Sequence, residues 1–170
     1  MQRIAIIGNG GAGKSTLAKK LGEKLNIPVH HLDKYFLNSN YENVTKPEMG
    51  AIHEKIIANE KWIIDGNYKY TLESRFERAD TIIMLDFPTW LCIWRIYKRT
   101  WRKEKRTDVP DGCANKVDMT FLSWVIGYKK RAGKKMVNEI LPIYKLEKRI
   151  YILRNSESVN DFLKAVDSFK

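Results

Sequence analysis

Gly8-Asn9-Gly10-Gly11-Ala12-Gly13-Lys14-Ser15 matches G-x-x-x-x-G-K-[ST], the spacing of a phosphate-binding P-loop. Glycines at this spacing let the backbone turn at positive φ and bring its N–H groups against phosphate oxygens. Lys14 supplies a cation for β- and γ-phosphates, and the Ser15 hydroxyl is placed to reach Mg²⁺. Ser15-Thr16 opens a helix whose unpaired N–H groups and dipole favour an anion. The residues from Gly8 to Thr16 therefore read as a site for ATP and Mg²⁺.

Other residues could complete phosphate chemistry. Asp33 falls where a second strand is expected to end, and ligands in open α/β sheets sit beyond the carboxyl ends of strands. It could orient or deprotonate an acceptor hydroxyl, or be a plain cap or turn acid. Asp65 closes the apolar run Trp62-Ile63-Ile64 and takes a Walker-B-like position near Mg²⁺, or else merely forms a turn. Arg95, Arg99 and Arg102 follow i, i+4, i+7 and can clamp phosphates bidentately or line a solvated face. Arg99 and Arg131 are the arginines expected to close over the transferred group.

The elements that must position these residues alternate. Arg3–Ile7 is a short β-branched strand, and Leu17, Ala18, Leu21 and Leu25 recur at helical spacing after the loop. Residues 26–33 read as a second strand and 34–44 as a loop with Tyr35, Phe36 and Tyr41. Thr45-Lys46-Pro47-Glu48 predicts a capping box with an early proline before a helix bearing Met49, Ile52 and Ile56. Further strands are expected at 61–66, 80–86 and 149–153. Helices are expected at 71–79, 89–103, 119–137 and after Asn155. In the helix near 89–103, Trp90, Ile93, Trp94, Tyr97 and Trp101 read as a core-facing stripe, and Cys92 as a core residue. Phe121, Trp124, Val125 and Tyr128 make the stripe of the next helix, and Pro142 marks a kink or restart. The polar stretch 102–118, with its Pro110-Asp111-Gly112 turn, reads as a lid, and 34–60 as an acceptor flap. Its single cysteine, Cys113, excludes a zinc-clamped lid. Five strands alternating with helices imply an α/β chain: one three-layer α/β/α domain over 1–170 with a five-stranded parallel sheet.

Composition agrees with that size. The chain has 170 residues, 44% apolar and 30% charged, as expected for a soluble globular domain. Its apolar runs are too short for a membrane span. Met1-Gln2 leads straight into a strand, which predicts no signal peptide, and two cysteines make no disulfide framework, so a cytoplasmic location is expected. The formal net charge is +11, and residues 89–149 hold 16 Lys and Arg against 6 Asp and Glu. That excess attracts phosphates, on a nucleotide or on DNA, unless it is a solvated face.

Along nearly its whole length the chain resembles the bacterial DNA topology modulation proteins, which are adenylate-kinase-like P-loop proteins. The resemblance rests on Ile6-Ile7-Gly8 through Ser15-Thr16, His31-Leu32-Asp33, Trp62-Ile63-Ile64-Asp65-Gly66-Asn67-Tyr68, Leu85-Asp86-Phe87-Pro88, and Phe121 to Arg131 after Pro110-Asp111-Gly112-Cys113. It implies an adenylate-kinase-type sheet with an acceptor flap and a short lid. Asp65-Gly66 stands where adenylate kinases carry Asp-Gly-Phe-Pro-Arg, but Asn67-Tyr68 replaces Phe-Pro and the arginine is missing. The family's name suggests an effect on DNA supercoiling.

Three functions follow from these observations. The leading one is a small-molecule or nucleotide kinase: Lys14 holds the β/γ oxygens, Ser15 and Asp65 place Mg²⁺, Asp33 orients the acceptor, and Arg99 and Arg131 act as arginine fingers. The second is an ATP-binding regulator that contacts DNA through the basic later half, although no nucleic-acid motif is apparent. The third is a slow hydrolase working through a partner.

Overall fold

In the computed structural model, which describes residues 1–37, 42–102, 108, 109, 117 and 119–166, β1 (Arg3–Gly8) is the central strand of a five-stranded sheet. Its neighbours are β3 (Trp62–Asp65) and β4 (Thr81–Leu85), with β2 (Val29–His31) and β5 (Arg149–Leu153) at the edges. The order is β2-β3-β1-β4-β5, and every pair is parallel. Parallel strands need crossover connections, and helices provide them here.

The period of two along β1 builds both cores. Ile4 and Ile6 face one side with Leu17, Ala18 and Leu21 of α1 (Lys14–Leu25), and with Cys92 and Ile96 of α5 (Thr89–Trp101). Val125 of α6 (Met119–Tyr128) and Phe162, Leu163 and Val166 of α8 (Ser156–Val166) complete that layer. Ala5 and Ile7 face the other side. There they meet Leu32 and Phe36 of α2 (Leu32–Phe36), Met49, Ile56 and Ile57 of α3 (Lys46–Ile57), and Phe76 of α4 (Leu72–Arg78). The result is the expected α/β/α sandwich. Asp80 ties the sheet's amino end, accepting from the Gln2 and Arg3 N–H groups at 2.8 and 2.9 Å.

The capping box at α3 is present: Thr45 Oγ1 accepts from the Glu48 N–H and Glu48 Oε2 accepts from the Thr45 N–H. Past Tyr128 the helix continues through wide π-helical turns at Lys129–Gly133 and Met136–Ile140 to α7 (Leu141–Tyr144), where Pro142 sits in the first turn.

Two expectations are corrected. The second strand ends at His31, and Leu32–Phe36 is helix rather than strand end and loop. Leu32 and Phe36, four residues apart, are both fully buried, and a helical turn is what lets both face the sheet. The aromatic part of the α5 stripe is also turned outward, while Ile93 packs against the core as expected. Trp90, Trp94, Tyr97 and Trp101 are 52–90% exposed, whereas Cys92 and Ile96 are fully buried. The cause is the P-loop beneath the helix, because a Cβ on Gly11 would lie 2.4 Å from the Cys92 carbonyl oxygen. Only the narrow Cys92/Ile96 face can approach so closely. On the outer face the Lys98 ammonium lies over the Trp94 ring, 4.6 Å from its centre. In α6, Val125 and Tyr128 are buried as expected, but Trp124 is 39% exposed. Most of the segment read as a lid, and Tyr41 and Cys113, lie outside the described residues.

Candidate active site

The loop after β1 is shaped by its glycines. Gly8, Gly11 and Gly13 adopt φ of 145°, 76° and 95°, and Gly13 caps α1 in the left-handed region. A Cβ at Gly13 would meet nothing nearer than Arg95 Nη1 at 3.8 Å, so backbone rather than side-chain space demands glycine there.

The loop is held from three sides. Asn67, in the turn leaving β3, donates through Nδ2 to the Gly8 carbonyl at 2.6 Å and accepts through Oδ1 from the Gly8 N–H at 3.1 Å. Asn9 is buried, donates to the Val125 carbonyl at 2.9 Å and accepts from the Gly10 N–H at 2.8 Å. From α5, Arg95 donates to the Ala12 carbonyl and the Ser156 hydroxyl, each at 3.1 Å, with its guanidinium over the Phe87 ring. Lys14 Nζ donates to the Asn9 carbonyl at 3.1 Å, across the loop's own mouth.

At the first turn of α1, Ser15 Oγ lies 2.7 Å from Asp65 Oδ2 and 2.8 Å from Asp108 Oδ2. A hydroxyl has one hydrogen to donate, so two carboxylates around it call for further positive charge. Three hard oxygen donors at the base of a phosphate loop fit Mg²⁺. The other oxygen of Asp65, Oδ1, pairs with His31 Nδ1 at 2.6 Å. Burial disfavours a charged His31 ring, but the hydrogen bond and charge of Asp65, with Asp108 and Asp33, outweigh it and raise its pKa.

The sequence-derived residues fall as follows. Gly8 to Thr16, Ser15 and Asp65 come together as expected. Asp33 lies in the first turn of α2, not at a strand terminus, and its charge acts on His31. Arg99 is half-buried on α5. Arg131 turns back along its own helix and donates to the Ser123 and Trp124 carbonyls at 3.2 and 3.4 Å. Sequence reasoning passed over His31, Asn67 and Asp108. His31 stood two residues before Asp33, and Asn67 stood in the Asp-Gly-Asn-Tyr run. Arg95, expected with Arg99 and Arg102 to clamp phosphates or line a solvated face, instead donates to the Ala12 carbonyl. Nothing local singled out Asp108.

No protein-family model matches the chain, and no curated protein sequence matches it significantly. Solved structures share its fold. A gluconokinase from Sinorhizobium meliloti superposes with a TM-score of 0.60 at 14% identity, over 99% of this chain and 94% of that one. A shikimate kinase from Bacteroides thetaiotaomicron gives 0.59 at 17% identity, over 99% and 97%. A deoxyadenosine kinase from M. mycoides gives 0.52 at 16% identity, over 98% and 99%. These chains have the P-loop kinase fold; the resemblance to DNA topology modulation proteins has no counterpart among them.

Proposed function

We propose that the protein is a P-loop kinase that transfers the γ-phosphoryl group of ATP to a small-molecule or nucleotide acceptor. The observation that carries the reading is Ser15 Oγ at 2.7 Å from Asp65 Oδ2, at the end of a loop that carries three glycines at positive φ. The structural neighbours named above as kinases support it.

In this reading the N–H groups of the loop and of the first turn of α1, with the α1 dipole, bind the phosphates, those of Gly10 and Ala12 after leaving their Asn9 oxygens. Lys14 leaves the Asn9 carbonyl to hold the β/γ oxygens. Ser15 and Asp65 would hold Mg²⁺, which supplies charge neutralisation to the phosphates when bound. Asp33 orients the acceptor and takes its proton as the acceptor oxygen bonds to the γ-phosphorus and ADP departs. Arg99 and Arg131 stabilise charge on the transferred group, and Arg131 must first release the Ser123 and Trp124 carbonyls. Catalysis of this kind is mostly positioning and charge stabilisation.

An ADP-release screen over nucleosides, nucleotides and small sugars, with Mg²⁺, tests the reading. Acceptor-dependent ADP release is expected. ADP release that no acceptor accelerates would make the protein a hydrolase instead.

A further inference from the structure

Arg75 is fully buried on α4, yet its guanidinium makes one hydrogen bond, from Nη2 to the Gly66 carbonyl at 3.1 Å. Among the described residues, Nε and Nη1 have no hydrogen-bond partner. Either edge that could grip a carboxylate or phosphate, Nε with Nη2 or Nη1 with Nη2, therefore carries a donor with no acceptor. Asp65 is the charge that steadies it, but both Asp65 oxygens are engaged, one by Ser15 and one by His31. From α3, His53 is also fully buried, and its Nε2 has no partner among the described residues. A buried cation without an anion is costly to fold around, and so is a buried N–H without an acceptor.

The place is informative. Gly66 separates Asp65, which holds Ser15, from Asn67, which holds Gly8. The guanidinium thus sits at the carboxyl edge of β3, beside the phosphate site, between the helix of the expected acceptor flap and α4. Taking the kinase reading as its basis, we infer that Arg75, assisted by His53, is the anion-binding group of the acceptor subsite, and that the acceptor carries a phosphate or carboxylate. A planar guanidinium with open donors on both edges suits either group. Because Arg75 and His53 are covered, the anion enters as α3 shifts from α4. The hydrogen bond that joins the two helices at this point is long, 3.5 Å between Ser74 Oγ and His53 Nδ1.

The test uses the full chain with ADP or ATP and Mg²⁺, and matched compounds that differ in one anionic group. The pairs are a nucleoside with its 5′-monophosphate and a sugar with its sugar acid, and inorganic phosphate is the minimal probe. Turnover is read as kcat/KM, and hydrogen exchange is followed in residues 46–57. The wild type is expected to prefer the anionic member by at least about a hundredfold, and the pair that shows it tells phosphate from carboxylate. Arg75→Met is expected to erase the preference; it also gives up the hydrogen bond to the Gly66 carbonyl, so its melting temperature is read beside that of Arg75→Lys. Arg75→Lys, which keeps the charge, retains part of the preference and guards against a folding defect. An exchange response in 46–57 to an anionic compound that Arg75→Met abolishes supports the subsite even without phosphoryl transfer, in which case the kinase reading alone fails. Turnover of a neutral acceptor with no preference for its anionic partner overturns the subsite and leaves the kinase reading standing. So does an Arg75→Met variant that keeps the wild-type preference, or no exchange response to any anionic compound.

Discussion

Lys14 Nζ rests 3.1 Å from the Asn9 carbonyl, close enough to hold the loop but on a contact that phosphate oxygens can replace. In the kinase reading, Lys14→Ala therefore removes a ligand for ATP at little cost to the fold. The expected outcome is a large loss of ATP affinity in calorimetry with a melting temperature close to wild type; unchanged affinity in the folded variant would refute the cradle. Asn67 is different because it serves the loop and not the ligand. Asn67→Ala leaves the Gly8 N–H and carbonyl without their 3.1 and 2.6 Å partners. A part-buried pair left unmade costs about 1–3 kcal/mol. Denaturant titration should show that loss together with weaker ATP binding, and a variant with wild-type stability would remove the pinning role.

At the level of elements, the arrangement around the P-loop depends on α5 lying flat against it. The helix presents Cys92 and Ile96 inward because Gly11 approaches the Cys92 carbonyl, and this leaves four aromatic residues outward. The two faces should respond oppositely to truncation. Ile96→Ala, fully buried, is expected to cost about 2–5 kcal/mol. Trp101→Ala, at a site 90% exposed, should stay within about 0.5 kcal/mol. Chemical unfolding of the two variants side by side decides the orientation, and a large loss at Trp101 would restore the aromatic face to the core.

Across the whole molecule, stability is linked to pH through histidines whose pKa values the fold shifts. Burial, and then the Arg75 charge, lower the His53 pKa to about 4. The unfolded chain binds a proton there at higher pH than the fold does. Its contribution to stability is therefore present above the ordinary histidine value, near 6.5, and is lost as pH falls toward 4. His30, lowered by burial and by His31, acts in the same direction. His31, whose pKa is raised, opposes them: its contribution is present below 6.5 and is lost as pH rises through its folded value. Asp80, held low by its hydrogen bonds from Thr81, Arg3 and Gln2 against its burial, adds a further loss at more acid pH. Melting curves should fall between pH 6.5 and 4, and His53→Phe should flatten that slope. An unchanged slope in the variant would mean that His53 is not buried in its neutral form.

Much of the architecture was legible in the chain because it is local. The P-loop spacing, the period of two in Ile4-Ala5-Ile6-Ile7, and the Thr45–Glu48 box each depend on residues a few positions apart, where backbone geometry alone sets the outcome. The nearness of Ser15 to Asp65 was legible too, since an acid ending a strand beside a P-loop needs only the alternation of strands and helices to be placed. The rest required the assembled sheet. A helix with an aromatic face and a cationic face does not declare which one turns inward; Gly11, some eighty residues before it, decided that for α5. The bonds from Asn67 to Gly8, Asp108 to Ser15 and Arg95 to Ala12 span 59, 93 and 83 residues. They exist because the order β2-β3-β1-β4-β5 brings the exits of β1 and β3 together under α5 and α6. Arg75 and His53 had ordinary neighbours in sequence. Only the packing of α3 on α4 buried both and left their donors open, because burial is a property of what lies across the fold and not of what lies beside a residue in the chain.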